Sequence, residues 1–439
     1  MRETMGNAFV PGKVQLSPLE EAMIARRQRL LGPAYRLHFE KPLHLVRGEG
    51  VWLTDADGER YLDAYNNVPS VGHCHPRVVD AIARQAATLN THTRYLHGHI
   101  LDYAERLLAT LPASIGHVMY TCTGSEANDL ASRIACAYTG GTGFLVTRYA
   151  YHGVTEAVTK LSPALGAGVE PGPHVRLIPT PDTYRLGADV GAVFAQGVRD
   201  AVADLRAHGI APAALLVDTA FTSEGNQVHP AGFLGPAVDA IHAAGGLFIA
   251  DEVQPGFGRT GSHFWGFDRH GVTPDLVTMG KPMANGHPVG AVAARPDVLA
   301  AFAKKVRYFN TFGGNPVSCA AGLAVLDVLR DEGLMDNARD VGAYLKAGFD
   351  DLQSRHAAIG DVREAGLAMG VELVTDRASQ APDPALAARV VNGLRDRRII
   401  LSISGEDQNI LKIRPPLCFQ RTHADMLIDA VDAILGAAR

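Results

Sequence analysis

The spacing of apolar and polar positions changes along the chain, and the changes mark two kinds of segment. Residues 16–31 repeat apolar positions at helical spacing, which predicts an amphipathic helix, and the runs on either side of Asp57-Gly58 predict a β-hairpin. From about residue 76, short apolar runs alternate with amphipathic helical patterns. That alternation is typical of βαβ units and predicts a mostly parallel sheet.

The C-terminal part of the chain has a different pattern of apolar and polar positions. Strand-like pieces such as VREAGLAMGVELVTD and NILKIRPPL are separated by a helical pattern, and a last amphipathic helix is predicted from about residue 423. We therefore expect an α/β protein with a large domain over residues 71–324. A smaller α+β domain would be built from both termini, residues 1–70 and 325–439.

Composition and charge narrow the class of partner. The chain is 47% hydrophobic and 20% charged, which is ordinary for a globular protein, and its formal net charge is −5 without a dense Lys/Arg run. We expect a small-molecule substrate rather than nucleic acid or membrane, and a cytoplasmic location, because no secretory signal or long apolar run is present. The five scattered cysteines lack paired spacing, so no metal site is expected.

Lys281 lies in DLVTMGKPMANGHP, where a lysine has little structural use. It follows the apolar run Leu276 to Met279, and Asp251 ends the preceding apolar strand in the same way. Because the carboxyl ends of parallel strands meet at one edge of a sheet, amine and carboxylate should lie close together. A partly desolvated lysine there is a nucleophile for carbonyl chemistry. The alternative is a lysine that extends from a strand end to solvent.

The Asp251 carboxylate needs a partner, because a buried unpaired charge is costly. The adjacent Glu252 raises the alternative of metal binding. However, neighbours in an extended segment point to opposite faces, so the two carboxylates are poorly placed to hold one ion. A protonated ring nitrogen of a cofactor is the better partner for Asp251.

Three further motifs fall at predicted strand ends or loops, and each has a structural alternative. Gly124 and Ser125 begin a helix after a strand, which suits a bound phosphate or a simple serine cap. Tyr151 and His152 end an apolar strand, where an aromatic ring stacks on a flat ligand or closes the core. Thr311 precedes two glycines and a helix, as a second phosphate donor or a capped turn.

Together these motifs resemble the class III aminotransferases, which are fold type I enzymes dependent on pyridoxal 5′-phosphate, over roughly residues 35–430. The resemblance implies that Lys281 bonds covalently to the cofactor aldehyde and that Asp251 pairs with the pyridine nitrogen. It also implies the remaining cofactor contacts: Gly124 and Ser125 at the phosphate, Tyr151 and His152 at the ring, Gln254 near the phenolic oxygen, and Thr311 at the phosphate of the neighbouring subunit's cofactor. A homodimer with shared active sites follows, with a tetramer as the alternative.

Within the family, YNNVPSVGHCHPRVV, TMGKPMANGHPVGAV and NILKIRPPLCF are most similar to ethanolamine-phosphate and phosphohydroxylysine phospholyases. The alanine-glyoxylate aminotransferases share SHFWGF and FNTFGGNP. Residues 404–409, SGEDQN, lack the arginine with which many aminotransferases bind a substrate carboxylate, and the usual glutamate-proline pair is replaced by Thr219-Ala220. The missing arginine fits a substrate without a carboxylate.

The resemblance therefore implies a lyase that eliminates phosphate from O-phosphoethanolamine. An aminotransferase that uses pyruvate or glyoxylate is the second hypothesis, and a non-catalytic binding protein of the same fold is the third. By residue type, Arg26 and Arg29 are candidates to bind the substrate phosphate, and Asn66 and Asn67 are candidates to line the pocket. A solvated helix face explains the arginines equally well.

Overall fold

Helices and strands alternate along most of the chain in a computed structural model, which describes residues 6–437. The helices are α1 Pro18–Leu31, α2 Pro76–Thr88, α3 Gly98–Leu108, α4 Gly124–Thr139, α5 Glu156–Thr159, α6 Thr183–Leu186, α7 Val190–Ala207, α8 Gly235–Ala243, α9 Pro296–Ala303, α10 Pro316–Asp331, α11 Leu334–Arg355, α12 Pro384–Asp396 and α13 Arg421–Ala437. Among the described residues, no helix has both the length and the apolar character that a membrane span requires.

The strands are short and fall into three sheets. They are β1 Leu45–Glu49, β2 Trp52–Asp55, β3 Arg60–Asp63, β4 His117–Thr121, β5 Gly143–Thr147, β6 Val175–Ile178, β7 Pro212–Asp218, β8 Leu247–Asp251, β9 Leu276–Met279, β10 Gly290–Ala294, β11 Ile359–Ala365, β12 Ala368–Asp376, β13 Ala381–Pro382, β14 Ile399–Ile400, β15 Ser402–Ser404 and β16 Ile410–Ile413.

The largest sheet has seven strands in the order β4-β10-β9-β8-β7-β5-β6. Strands β5 to β9 pair in parallel, and only β10 runs antiparallel to its neighbours β4 and β9. Every residue of β7, β8 and β9 is buried, as expected for parallel strands with both faces covered. The mostly parallel α/β fold predicted from the sequence is confirmed.

Two smaller sheets involve the ends of the chain. The predicted hairpin forms between β2 and β3, with Gly58 at φ 85° in the turn, and β14 runs parallel to β3 to complete the order β1-β2-β3-β14. The other sheet has the order β11-β12-β16-β15, with β13 paired to β12. The proposed domain boundaries after residues 70 and 324 stay a prediction.

Helix α1 occupies its predicted position, but it does not pack as an amphipathic helix within one chain. Ser17 and Glu20 form a reciprocal capping box that starts the helix. None of its side chains is buried, and Leu19 and Leu30 are 63% and 58% exposed. Within the described residues most apolar side chains of α1 are therefore exposed, and only Ile24 among them is half-buried.

Candidate active site

Three adjacent parallel strands bring charged groups to one edge of the large sheet. Asp218 ends β7 and lies opposite Asp251, which ends β8, and Asp251 in turn lies opposite Thr278 of β9. Lys281 follows β9 after Gly280 and begins a turn of 3-10 helix. The parallel register thus delivers two carboxylates and an amine to the same side of the sheet, where ligands bind in α/β proteins.

These groups open onto a cavity of about 190 Å³. Seven of the residues predicted to bind the cofactor line it: Gly124, Ser125, Tyr151, His152, Asp251, Gln254 and Lys281. The other lining residues are Thr123, Gly153, Asp218 and Val253. Motifs that lie far apart in the sequence therefore converge on one cavity.

Asp251 is held in a fixed orientation by donors on three sides. Its Oδ2 accepts a hydrogen bond from Asn128 Nδ2 at 2.9 Å and lies 2.7 Å from Nδ1 of His152, and its Oδ1 accepts from the Val253 N–H at 3.1 Å. Asn128 is itself positioned by the hydroxyl of Thr278, which donates to Asn128 Oδ1 at 2.7 Å. Such a network holds the carboxylate in one orientation at the cavity wall.

Glu252 points away from Asp251, so the two do not form a shared metal site. Its carboxylate accepts hydrogen bonds from the Thr219 hydroxyl at 2.6 Å and from the N–H groups of Gly266 and Phe267 at 2.7 and 2.9 Å. Burial raises the pKa of Glu252 to about 8. This residue joins two loops and takes no part in the cavity.

The amine of Lys281 is shifted toward its neutral form. Burial, and next the positive charge of Arg414, lower the pKa of Lys281 to about 8, although Asp251 and Asp218 act in the opposite direction. Below about pH 8 the amine carries a proton, and above it the nitrogen has a free lone pair. The lowered pKa gives Lys281 a larger neutral fraction at physiological pH than an exposed lysine has, and the neutral amine can attack a carbonyl carbon.

A helix N-terminus forms another wall of the cavity. Thr123 caps α4 by accepting from the Glu126 N–H at 3.1 Å, which leaves the N–H groups of Gly124 and Ser125 in the first turn, where helices lack internal partners. Gly153, at φ 140°, lies so close that a Cβ there would be 2.5 Å from the Ser125 hydroxyl oxygen. The backbone around Ser125 is thus a glycine-lined recess at the positive end of a helix.

Gln254 and Tyr151 complete the wall. The Gln254 amide donates to Asp218 Oδ2 at 3.4 Å, and burial raises the pKa of the Tyr151 hydroxyl. Asp218 is buried, and burial together with the neighbouring Asp251 carboxylate raises its pKa. Sequence analysis did not single out Asp218, although it ends the apolar strand AALLVD just as Asp251 ends LFIAD.

The remaining predicted residues lie outside the cavity lining. Thr311 is in an exposed loop, and Arg26 and Arg29 are exposed on α1. Asn66 donates to Asp63 Oδ2 at 3.0 Å within a turn, whereas Asn67 is buried with an unpartnered Nδ2 among the described residues. Their predicted roles toward substrate or cofactor stay predictions.

Two buried cations near the cavity were missed. Lys412 and Arg414 lie at and just after the end of β16, and they are only 8% and 5% exposed. The segment NILKIRPPL indicated that both side chains lie on one face of a strand, because alternate residues of a strand point to the same face. Neither had been assigned a role.

The donors and acceptors of this cavity fit pyridoxal 5′-phosphate. A helix N-terminus with a glycine-lined recess suits a phosphate, and an oriented carboxylate suits a protonated ring nitrogen. A lysine with a lowered pKa suits the aldehyde, and an aromatic side chain borders the space between them. Each functional group of the cofactor has a matching group of the protein.

Comparison with known proteins places the chain in a family. The class III aminotransferase family matches residues 36–435. A Drosophila melanogaster protein named alanine–glyoxylate aminotransferase 2-like is 42% identical over 94% of this chain and 86% of its own length. A Caenorhabditis elegans protein named ethanolamine-phosphate phospho-lyase homolog 1 is 36% identical over 95% of this chain and 93% of its own.

Solved structures agree in fold. A phospholyase from Arthrobacter in complex with phosphoethanolamine superposes with a TM-score of 0.91, at 43% identity over 94% of this chain and 99% of that one. An amine transaminase from an uncultivated Pseudomonas species, in its pyridoxal-phosphate-bound form, superposes with a TM-score of 0.83, at 29% identity over 98% of both chains. The chain therefore belongs to the class III aminotransferase family and is an enzyme dependent on pyridoxal 5′-phosphate.

Proposed function

We propose that the enzyme is a phospho-lyase that converts O-phosphoethanolamine and water into acetaldehyde, ammonia and inorganic phosphate. The observation that carries this proposal is the similarity to the Arthrobacter phospholyase, whose structure holds phosphoethanolamine. The similarity to the ethanolamine-phosphate phospho-lyase homolog supports it. The buried cations beside the cavity also suit a substrate that carries phosphate.

Different cavity residues would hold different parts of the cofactor. Gly124 and Ser125 would bind its phosphate through the first N–H groups of α4, and Tyr151 would stack on the ring. Asp251, oriented by Asn128 and His152, would hold a proton on the pyridine nitrogen, and Gln254 would contact the phenolic oxygen. With these contacts made, the pyridoxal ring supplies an electron sink for the carbon that bears the substrate's amine.

Lys281 carries out the proton transfer. With the cofactor bound, the Nζ of Lys281 would remove a proton from the carbon that bears the substrate amine. The C–O bond on the adjacent carbon breaks, and phosphate leaves with the bonding electrons. Water then converts the remaining two-carbon fragment into acetaldehyde and ammonia. Every atom of the substrate and of one water molecule is accounted for, and no keto acid is consumed.

An aminotransferase acting on pyruvate or glyoxylate is the second candidate. It is supported by the similarity to the alanine–glyoxylate aminotransferase 2-like protein. For that reaction the cofactor would supply a carrier for the amino group, Lys281 would move the proton, and a keto acid would be consumed as a second substrate. Both reactions use the same cofactor contacts, so they are distinguished by whether the phosphate group of the substrate is released.

The first test is incubation of the purified holoenzyme with O-phosphoethanolamine and no keto acid. We expect equimolar release of inorganic phosphate and acetaldehyde over many turnovers, because elimination regenerates the cofactor unaided. Ethanolamine without phosphate is the matched control and should give neither product. Amino transfer to pyruvate or glyoxylate with no phosphate release would refute the lyase.

We also propose that the enzyme is a homodimer with shared active sites. Leu96, Phe312 and Tyr95 are 99%, 69% and 66% exposed. The His92 ring lies 5.6 Å from that of Phe309, so the two segments that carry these exposed apolar side chains are adjacent, and Thr311 belongs to one of them. Surfaces of this kind mark protein–protein contacts. A second copy covering it would also bring Thr311 to the neighbouring cofactor.

Light scattering should therefore give twice the chain mass. Phe312→Asp together with Leu96→Asp should shift the protein to monomer, because a charge buried in the interface is costly, and cofactor binding should weaken about tenfold or more with the loss of the neighbouring subunit's Thr311. Met426→Asp, at another exposed apolar position (43% exposed), is the control and should remain dimeric. A wild-type monomer in solution would exclude the dimer.

A further inference from the structure

The loop that carries Thr311 is anchored to the end of β4, although Thr311 itself is exposed. Before it, the Tyr308 hydroxyl donates to the Tyr120 carbonyl at 2.7 Å. Burial raises the pKa of Tyr308 to about 12, so this hydroxyl stays protonated and remains a donor. After it, a Cβ at Gly313 would lie 2.6 Å from the Tyr120 carbonyl oxygen. The chain on both sides of Thr311 is therefore packed against one residue of β4.

Asn310 fixes the path of the backbone through Thr311. Its Oδ1 accepts hydrogen bonds from the N–H groups of Phe312 and Gly313 at 3.2 and 2.9 Å. These bonds run from the residue before Thr311 to the two residues after it, so they close a tight turn that contains Thr311. The threonine is thus presented at the surface on a backbone that is held by a side chain of the same loop.

The same asparagine also contacts the turn that leads into α4. Its Nδ2 donates to Glu126 Oε2 at 3.4 Å, and its Oδ1 lies 3.5 Å from Cys122 Sγ. Glu126 Oε2 in turn accepts from the Cys122 N–H at 2.6 Å. Cys122 and Glu126 lie on either side of Gly124 and Ser125, whose N–H groups line the recess that suits the cofactor phosphate. The Asn310 amide therefore joins the phosphate recess of its own chain to its own loop.

We infer that Asn310 is a positioning residue that fixes Thr311 for contact with the cofactor of the neighbouring subunit. The amide acts within one chain, and its effect falls on the cofactor site of the other. A hydroxyl that is already held in place contacts a phosphate without the cost of ordering its loop on binding. The inference rests on the proposed homodimer with shared active sites, and it names the residue that presents the shared contact.

The test measures cofactor affinity by dialysing the holoenzyme against graded concentrations of pyridoxal 5′-phosphate and recording the visible absorbance of the bound cofactor. We expect Thr311→Val to weaken binding about tenfold and Asn310→Ala about three- to tenfold, because a hydrogen bond to a charged group is lost or loosened. Asn392→Ala is the matched control. This half-buried asparagine also joins two segments, through the Glu40 N–H and the Ala388 carbonyl, and its replacement should leave the affinity unchanged.

A double change separates positioning from a general structural role. If Asn310 acts through Thr311, Asn310→Ala combined with Thr311→Val should bind the cofactor no more weakly than Thr311→Val alone, because both remove the same contact. If Asn310 only stabilised the fold around the phosphate recess, its loss would add to that of Thr311→Val. Full additivity of the two losses would overturn the inference.

Mixed dimers, isolated with two different affinity tags, show in which subunit the effect falls. Lys281→Ala removes the absorbance of covalently bound cofactor from one subunit, so the signal reports only the other subunit. With Asn310→Ala on the same chain as Lys281→Ala, the reporting site receives the altered loop and should lose affinity. With Asn310→Ala on the reporting chain, its site receives a wild-type loop and should keep wild-type affinity. The reverse pattern would overturn the inference.

The two proposals fail separately. A monomeric wild type, or wild-type affinity in Thr311→Val, overturns the shared active site and with it the role of Asn310. Reduced affinity in Thr311→Val together with wild-type affinity in Asn310→Ala overturns the role of Asn310 alone and supports the shared active site.

Discussion

Replacing Lys281 with alanine is expected to lower turnover at least about a thousandfold. The variant loses both the nucleophile that bonds to the cofactor aldehyde and the base that moves the substrate proton. Turnover is measured as phosphate release or, for the second candidate, as keto-acid-dependent amino transfer. The visible absorbance of the covalently bound cofactor should be replaced by that of free pyridoxal phosphate.

Replacing Lys281 with arginine tests the positive charge of the side chain separately from its roles as nucleophile and base. Lys281→Arg keeps a cation near Asp251 and Asp218, but a guanidinium does not deprotonate at working pH and cannot take either role. It should be as inactive as Lys281→Ala. Lys304→Ala, at an exposed lysine after α9, should keep wild-type activity and spectrum. Substantial turnover in Lys281→Ala would show that another group performs the chemistry.

The second large effect is expected for Asp251→Asn. An amide cannot hold a proton on the pyridine nitrogen, so the ring would accept electrons poorly. Loss of one partner of a buried charge pair costs about 3–5 kcal/mol, which corresponds to a rate lower by roughly a hundredfold to several thousandfold. We expect the loss mainly in kcat, with the cofactor still bound through Lys281 and α4.

Asp275→Asn is the matched control for Asp251→Asn. Asp275 is a buried carboxylate beside the same sheet, but it precedes β9 and is paired with Arg295 at 2.5 Å and His242 at 2.8 Å. Its replacement should lower the melting temperature and leave kcat unchanged. If the two variants lost kcat equally, the role of Asp251 would be structural rather than catalytic.

The large sheet could be predicted because its strands are continuous apolar runs between helices. The direction of β10 could not. Gly290–Ala294 is a short alanine-rich strand, and its antiparallel course follows from the reversal of the chain after Lys281, where Asn285 takes φ 52°. The amphipathic pattern of α1 predicted a helix correctly, but periodicity cannot say whether its apolar face has a partner within the same chain.

The residues at strand ends were also accessible from the sequence. Asp251 and Lys281 each follow an apolar run, so the parallel sheet brings them together. The alternation in NILKIRPPL placed Lys412 and Arg414 on one strand face, but their proximity to Asp218 was not accessible, because it depends on the packing of Ile410 against Gly225, a tertiary contact between distant parts of the chain. The cytoplasmic location stays a prediction, since some relatives are named as mitochondrial proteins.

The parallel pairing of β14 with β3 determines when one of the smaller sheets can be completed during translation. Leu62 pairs with Ile399, so the edge of β3 is made long before its partner strand leaves the ribosome. Throughout most of translation the hairpin of β2 and β3 carries an open edge, and open edges pair readily with other strands. The sheet of β1, β2, β3 and β14 can close only when nearly the whole chain has been synthesised. Its completion is therefore a late step in the maturation of this enzyme.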